Sequence, residues 1–380
     1  MKRLLPLIMA VSLLFTGCGW LDGSYYKVTP HQQHSAGNES QVEVAENYLQ
    51  LRKALEDMVD AGEENRVITV SGFRQEQLGD SMDMAVRYVK NNDPIGAYAV
   101  EEITYEVGTV GGSVAVAVEI RYRYSKNEIR KILHVENMEQ VRALVEEALT
   151  EYDPGLVMLI GEYEPMDVYQ MVDDFASRNP SVVMETPELS VQTYPDTGIN
   201  RIMEVKFTYQ SSRDSLRAMR DVVQRVFRSA ALYVSNDARD SQKLSQLYSF
   251  LMERFDSYQI KTSITPSYSL LNHGVGDSTA FAEVYAEMCA RADVECLVVV
   301  GTRNAEPWCW NIVKMDGCYY HVDLLDCQVR GSFQTRTDAQ MANYVWDYSA
   351  YPVCNGSTPE EGTDPTEETG APEETAEPQK

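Results

Sequence analysis

Gly276-Asp277-Ser278-Thr279-Ala280-Phe281-Ala282-Glu283-Val284-Tyr285-Ala286-Glu287-Met288-Cys289-Ala290-Arg291-Ala292-Asp293-Val294 is the stretch on which the reading of this chain turns. Asp277, Ser278 and Thr279 precede an apolar run at helical spacing, with Glu283 near the first turn, so a helix with a polar cap is predicted and Ser278 itself is a candidate N-cap. Two strands are predicted beyond it. Trp308-Cys309-Trp310-Asn311 belongs to the first, Met315-Asp316-Gly317 makes the turn, and Cys318-Tyr319-Tyr320-His321-Val322 leads to Asp323. A helix near Lys243 to Phe255 is predicted to lead in.

These pieces, in this order, resemble the transglutaminase-like superfamily, whose pattern runs roughly G-x-C-x-G-Y-A-x-A-F-x-x-L-C-x-x-A-G-I, then H-A-W-N, then D-G-x-W-Y-x-V-D. The resemblance covers about the last third of the folded chain and implies a papain-like α+β domain. Active members include cysteine proteases, peptide N-glycanases and transamidating enzymes. Laid on the pattern, Ser278 stands at the nucleophilic cysteine, Trp308 at the histidine and Asp323 at the aspartate.

Such a site works because a helix N-terminus and an imidazole lower the thiol pKa, while the aspartate orients the imidazole. A serine hydroxyl depends more heavily on an adjacent base, and the Trp308 indole offers a donor with no titratable acceptor. The expectation is therefore a catalytically degenerate domain whose cleft, built from Ser278, Trp308, Trp310 and Asp323, holds a peptide, protein or cell-wall fragment. Asp323 is expected to accept a hydrogen bond from the Trp308 indole. The alternative is a serine-dependent hydrolase or acyltransferase using Ser278 with His273, in a Gly-rich turn, or His321, two residues before Asp323 on a strand. The plainer reading of His321 is a half-exposed strand residue.

The N-terminus supplies an address. Lys2 and Arg3 precede an apolar run from Leu4 to Phe15 that is too short to span a bilayer and fits a signal-peptide core. Leu14-Phe15-Thr16-Gly17-Cys18 resembles a bacterial lipobox, which implies removal of residues 1–17 and lipidation of Cys18; a plain secretory signal is the alternative. The expected location is the outer face of a bacterial cytoplasmic membrane, with residues 18–45 as a polar spacer and 354–380 as an acidic Pro-, Thr- and Glu-rich tail that cannot bury enough surface to fold.

A formal charge of −25 argues against a nucleic-acid reader, which needs clustered cations. No phosphate loop, histidine cluster or zinc-type cysteine spacing is present, so no cofactor and no metal are expected. Of the seven cysteines, Cys289 reads as a buried thiol, and Cys309 and Cys318, flanking a turn, are candidates for a cross-strand disulfide.

Between spacer and terminal domain the chain repeats itself after about ninety residues. Val67 to Gly72 answers Leu156 to Gly161, Asn92-Asp93-Pro94 answers Arg178-Asn179-Pro180, Glu102 to Tyr105 answers Glu188 to Val191, and Glu119 to Tyr124 answers Glu204 to Tyr209. Each copy reads as strand, helix (Gln77 to Val89; Met166 to Ser177) and two strands, bordered by a longer helix (Met138 to Thr150; Ser215 to Val234). The Tyr122/Tyr124 and Phe207/Tyr209 pairs read as a sheet face packed on its helix or, alternatively, an aromatic docking face. The fold class expected is α+β: two tandem βαββ-type modules, 46–134 and 135–225, followed by a transglutaminase-like domain at 226–353.

Overall fold

The computed structural model describes residues 44–235, 237–258 and 263–356. The expected signal peptide, Cys18, nearly all of the expected spacer and the tail beyond 356 lie outside the described residues. The described chain is mixed α and β, built on three four-stranded sheets and a two-stranded pair.

The first sheet is formed by β1 (Val44–Ala45), β2 (Asn65–Val70), β3 (Val100–Val110) and β4 (Ser113–Tyr122), with α1 (Tyr48–Ala61) between β1 and β2, and α2 (Gln75–Asn92) and α3 (Pro94–Ala99) between β2 and β3. A short α4 (Lys126–Ile129) follows, opened by a Ser125/Glu128 capping box. The second sheet comprises β5 (Leu133–Val135), β6 (Gly155–Ile160), β7 (Glu188–Tyr194) and β8 (Arg201–Thr208), with α5 (Met138–Glu151) and α6 (Val168–Arg178) in the matching gaps. The strand orders, β1-β2-β4-β3 and β5-β6-β8-β7, are the same, and in each sheet the first pair is parallel and the others antiparallel.

Local chemistry explains the matching helix starts. Asn47 caps α1 by accepting from the Gln50 N–H, while the Gln50 side chain reaches back to the Glu46 N–H. Asn137, Gln140 and Glu136 do the same for α5, each ninety positions later. This reciprocal cap satisfies one donor of the first helical turn and one on the residue before the N-cap. Both helices end in the left-handed region, at Gly62 (φ 59°) and Tyr152 (φ 56°). Tyr152 sits there although it is not glycine: its ring is buried and its hydroxyl donates to the Val182 carbonyl at 2.6 Å.

Three sequence expectations change here. The pairing of Val67–Gly72 with Leu156–Gly161 is one residue out: Ile68 and Val70 point inward as Met158 and Ile160 do, and a one-residue slip would turn every side chain to the other face. The helix at Met138 to Thr150 does not border the first copy; it is α5, inside the second sheet's crossover, and buries Val141, Val145 and Leu149 there. The first sheet starts at Val44, ahead of residue 46, and β5 straddles the 134/135 boundary. Strands of two or three residues are too short for alternation to register. The aromatic pairs face helices and core: the Tyr122 hydroxyl donates to the Met58 carbonyl of α1, Tyr124 stacks on Tyr98 at 4.5 Å, and Phe207 is buried.

The last part contains α7 (Arg213–Tyr233), α8 (Asp240–Met252), β9 (Ser257–Tyr258), α9 (Pro266–His273), β10 (Val275–Gly276), α10 (Ser278–Arg291), β11 (Cys296–Arg303), β12 (Glu306–Met315), β13 (Cys318–Val322), α11 (Leu324–Arg330), a 3-10 turn at Asp338–Gln340 and β14 (Tyr344–Trp346). Its antiparallel sheet runs β13-β12-β11-β14. The boundary expected at 225/226 falls inside α7, whose Leu216, Val223 and Phe227 pack into one core with α8 and α10. Each such fully buried side chain contributes about 1.5–3 kcal/mol, so the whole helix belongs to this part.

One sheet face receives α10. Asn311, completely buried, donates from Nδ2 to the Ala282 carbonyl at 2.9 Å and to the Leu297 carbonyl at 3.3 Å. The other face carries an aromatic layer of Trp310, Tyr344 and Trp346 with Val299, Ile312 and Met341. Gly301 on β11 makes room for it: a Cβ there would lie 2.3 Å from the Val345 carbonyl oxygen and 2.9 Å from the Trp310 ring.

Candidate functional site

The N-terminus of α10 lies against β12. Asp277 is the N-cap, its carboxylate accepting from the Ala280 N–H at 2.9 Å, so Ser278 is the first helical residue and not the cap. Ser278 is buried, and its Oγ accepts from the backbone N–H of Cys309 at 3.2 Å. Among the described residues no imidazole hydrogen-bonds this hydroxyl.

Asp323 leaves β13 and caps α11. Its Oδ1 accepts from the backbone N–H groups of Leu325 and Asp326, both at 3.1 Å. Its Oδ2 accepts from Trp308 Nε1 at 2.9 Å, Arg303 Nη1 at 3.0 Å and the Tyr344 hydroxyl at 2.6 Å. The expected indole donor is present, alongside two others that the sequence reading missed. With five donors on two oxygens, this carboxylate has its acceptor capacity taken up by the fold. Burial, then the neighbouring Asp323 charge, pushes the Tyr344 phenol well up, so it stays a donor.

Trp308 is half-buried. Its ring meets Tyr258 at 5.7 Å between centroids and has the Arg303 guanidinium 5.1 Å from its centre. Trp310 is buried, its ring in the aromatic layer and its Nε1 donating to His321 Nδ1 at 2.9 Å. The space lined by Ser278, Cys309, Trp310, Asn311, Asp323 and Leu325 leaves no volume for a water molecule, so these residues enclose no open cleft.

Neither candidate base reaches Ser278. His321 is fully buried, not half-exposed, and stands opposite Ile312 on the face turned away from α10. Because Nδ1 accepts from Trp310, the ring proton sits on Nε2, 2.8 Å from Asp338. Burial lowers the His321 pKa, with Asp338 opposing the shift. His273 is exposed at the end of α9, against the Asn272 amide at 3.2 Å and the Tyr268 ring.

His321, Asp338 and Cys354 bring three possible metal-ligand atoms within 4.8 Å of one another. The tautomer set by Trp310 puts a proton on the nitrogen that would have to ligate, so the group fits a metal poorly. The cysteines of the described part are free thiols. Cys309 faces Val300 across the ladder and Cys318 faces Met315, so the candidate bridge between them has no register to form in. The Cys309 thiol instead accepts from the Thr279 hydroxyl at 3.3 Å, and burial pushes its pKa up.

Sequence reading noted Glu283 only as a first-turn residue. It opens into a pocket of about 280 Å³ beside α6, lined also by Ser177, Pro180, Met184 and Pro266. Burial pushes its carboxyl up to about 7, against the hydrogen bond from Ser177. No ion pair to Glu283 exists among the described residues, and a helical pattern alone cannot reveal that.

No protein-family model and no curated protein matches this chain. Among solved structures, one described as a TGase is similar at 12% identity and a TM-score of 0.25, over 50% of this chain and 58% of that one. Another, described as a "putative protease" from Parabacteroides distasonis, is similar at 9% identity and a TM-score of 0.22, over 58% of this chain and 35% of that one.

Proposed function

We propose that this chain is a membrane-anchored extracytoplasmic lipoprotein, tethered through Cys18, whose terminal part is a non-catalytic transglutaminase-like domain acting in peptide or cell-envelope binding or scaffolding. The two preceding sheets are copies of one ancestral module in this reading, supported by their equal strand orders and repeated Asn/Gln caps. The observation that carries the non-catalytic reading is the commitment of Asp323: it serves Trp308, Arg303, Tyr344 and the α11 cap, where a hydrolase of this plan would use it to orient an imidazole. Ser278 is likewise spent as an acceptor for the Cys309 N–H.

Treating the mature protein with a fluorophosphonate tests this directly: no label on Ser278 is expected, and labelling abolished by Ser278→Ala would overturn the reading in favour of the serine-enzyme alternative. The tether is tested separately by incorporation of labelled fatty acid, expected to disappear in Cys18→Ala.

A further inference from the structure

Tyr344, whose hydroxyl donates to Asp323, also lines a second recess, of about 340 Å³, with Arg330, Gln334, Arg336, Gln340 and Asn343. Its lining includes no carboxylate, in a chain with 58 acidic residues. Beneath it three guanidinium groups converge on one carboxylate: Asp326 accepts from Arg303 at 2.9 Å, from Arg330 and from Arg336. Arg303 also serves Asp323. Three permanent positive charges thus meet at Asp326 and Asp323, with Asp338 nearby on the His321 imidazole.

The two arginines differ in role. Arg336 is held in place: its backbone pairs with His321 in both directions, at 2.8 and 2.9 Å, and its side chain is only 17% exposed. Arg330 uses Nε on Asp326 and is 52% exposed, so its terminal nitrogens face outward. The Gln340 amide oxygen is fixed by the Thr337 N–H at 2.9 Å, which leaves its NH₂ group as a donor. Planar guanidinium forks beside carboxamide donors match a planar acceptor with two oxygens.

We infer that this recess binds a carboxylate group, of the kind carried by the free C-terminus of a short peptide. Arg330 is the more exposed of the two lining guanidiniums and complements one carboxylate better than a phosphate dianion, and the volume suits a terminal residue or two. The inference deepens the binding role proposed above and rests on it, moving the contact surface from the filled interior around Ser278 to the arginine recess.

The test is calorimetric titration of the full mature protein with acetyl-Ala-Ala, with its C-terminal amide, and with inorganic phosphate, at low and high salt. The acid is expected to bind, weakening as salt rises; the amide should bind at least tenfold more weakly. Arg330→Gln, which leaves Arg303 and Arg336 on Asp326, should raise the Kd for the acid about tenfold while circular dichroism stays that of the folded protein, and Asn343→Ala should weaken it by a smaller factor. Equal binding of acid and amide, tighter binding of phosphate, no detectable binding, or an Arg330→Gln variant that binds unchanged would overturn the inference. Fluorophosphonate labelling of the same samples reports on Ser278 independently, so loss of the carboxylate site and loss of the non-catalytic reading give different results.

Discussion

Replacing Glu283 by Gln should make the protein more stable at neutral and alkaline pH and leave it nearly unchanged in acid. The side chain lies in a recess between α6 and α10 with no cation beside it, and burial raises its carboxyl from 4.5 to about 7. The unfolded chain ionises this group near its ordinary value, whereas the folded protein holds the proton longer. Below about pH 4.5 both states are protonated and the group is neutral in the balance; between 4.5 and about 7 the unfolded chain ionises while the folded state keeps its proton, so stability falls across that window and levels off above it. At about 1.4 kcal/mol per pH unit, the full loss is on the order of 3 kcal/mol. Gln keeps an oxygen to accept the Ser177 hydrogen bond and never ionises. The assay is urea unfolding of wild type and Glu283→Gln at pH 4, 5.5, 7 and 8, comparing extrapolated stabilities. The difference should be close to zero at pH 4 and grow with pH in favour of Gln. Asp93, also raised to about 7 by burial, titrates in both proteins and cancels. Parallel pH profiles would show that the carboxylate reaches solvent or a cation, and the reasoning would fail.

Other outcomes follow from the terminal sheet. Gly301→Ala drives a methyl group into the Val345 carbonyl and the Trp310 ring, and should cost about 1–3 kcal/mol with a lowered melting temperature and altered tryptophan fluorescence. His321 is buried with its pKa depressed, so the unfolded chain takes up protons first and stability falls as pH drops below 6.5; His321→Gln, which retains a donor for Asp338, should flatten that acid limb in a pH series of melting temperatures.

Much of the architecture is written in local patterns. Helices α2, α6, α7 and α8 announce themselves by apolar residues at helical spacing, and the long strands by alternation. The shortest strands do not, because two or three residues carry no period; α5 is therefore placed at the border of the first copy, and α1 goes unpredicted. The Asn47/Gln50 and Asn137/Gln140 caps would have fixed the repeat register to the residue. At the candidate site, the indole donor to Asp323 followed from the chemistry of tryptophan. Arg303 and Tyr344 did not, since they arrive from β11 and β14 and only tertiary folding brings them to that carboxylate. His321 was misjudged because a strand pattern says which side chains share a face but not what covers it; here Trp346 and the Asp338 turn do.

Gly62 and Tyr152 close equivalent helices, yet they answer to different masters. The glycine meets the backbone's demand at no steric cost, while the tyrosine bears about 1–2 kcal/mol of left-handed strain in exchange for a ring lodged against Met184 and the α7–α8 bundle. The two crossovers are therefore not interchangeable: a chimera carrying the Gly62 ending after α5 would gain backbone ease and lose its grip on the C-terminal third.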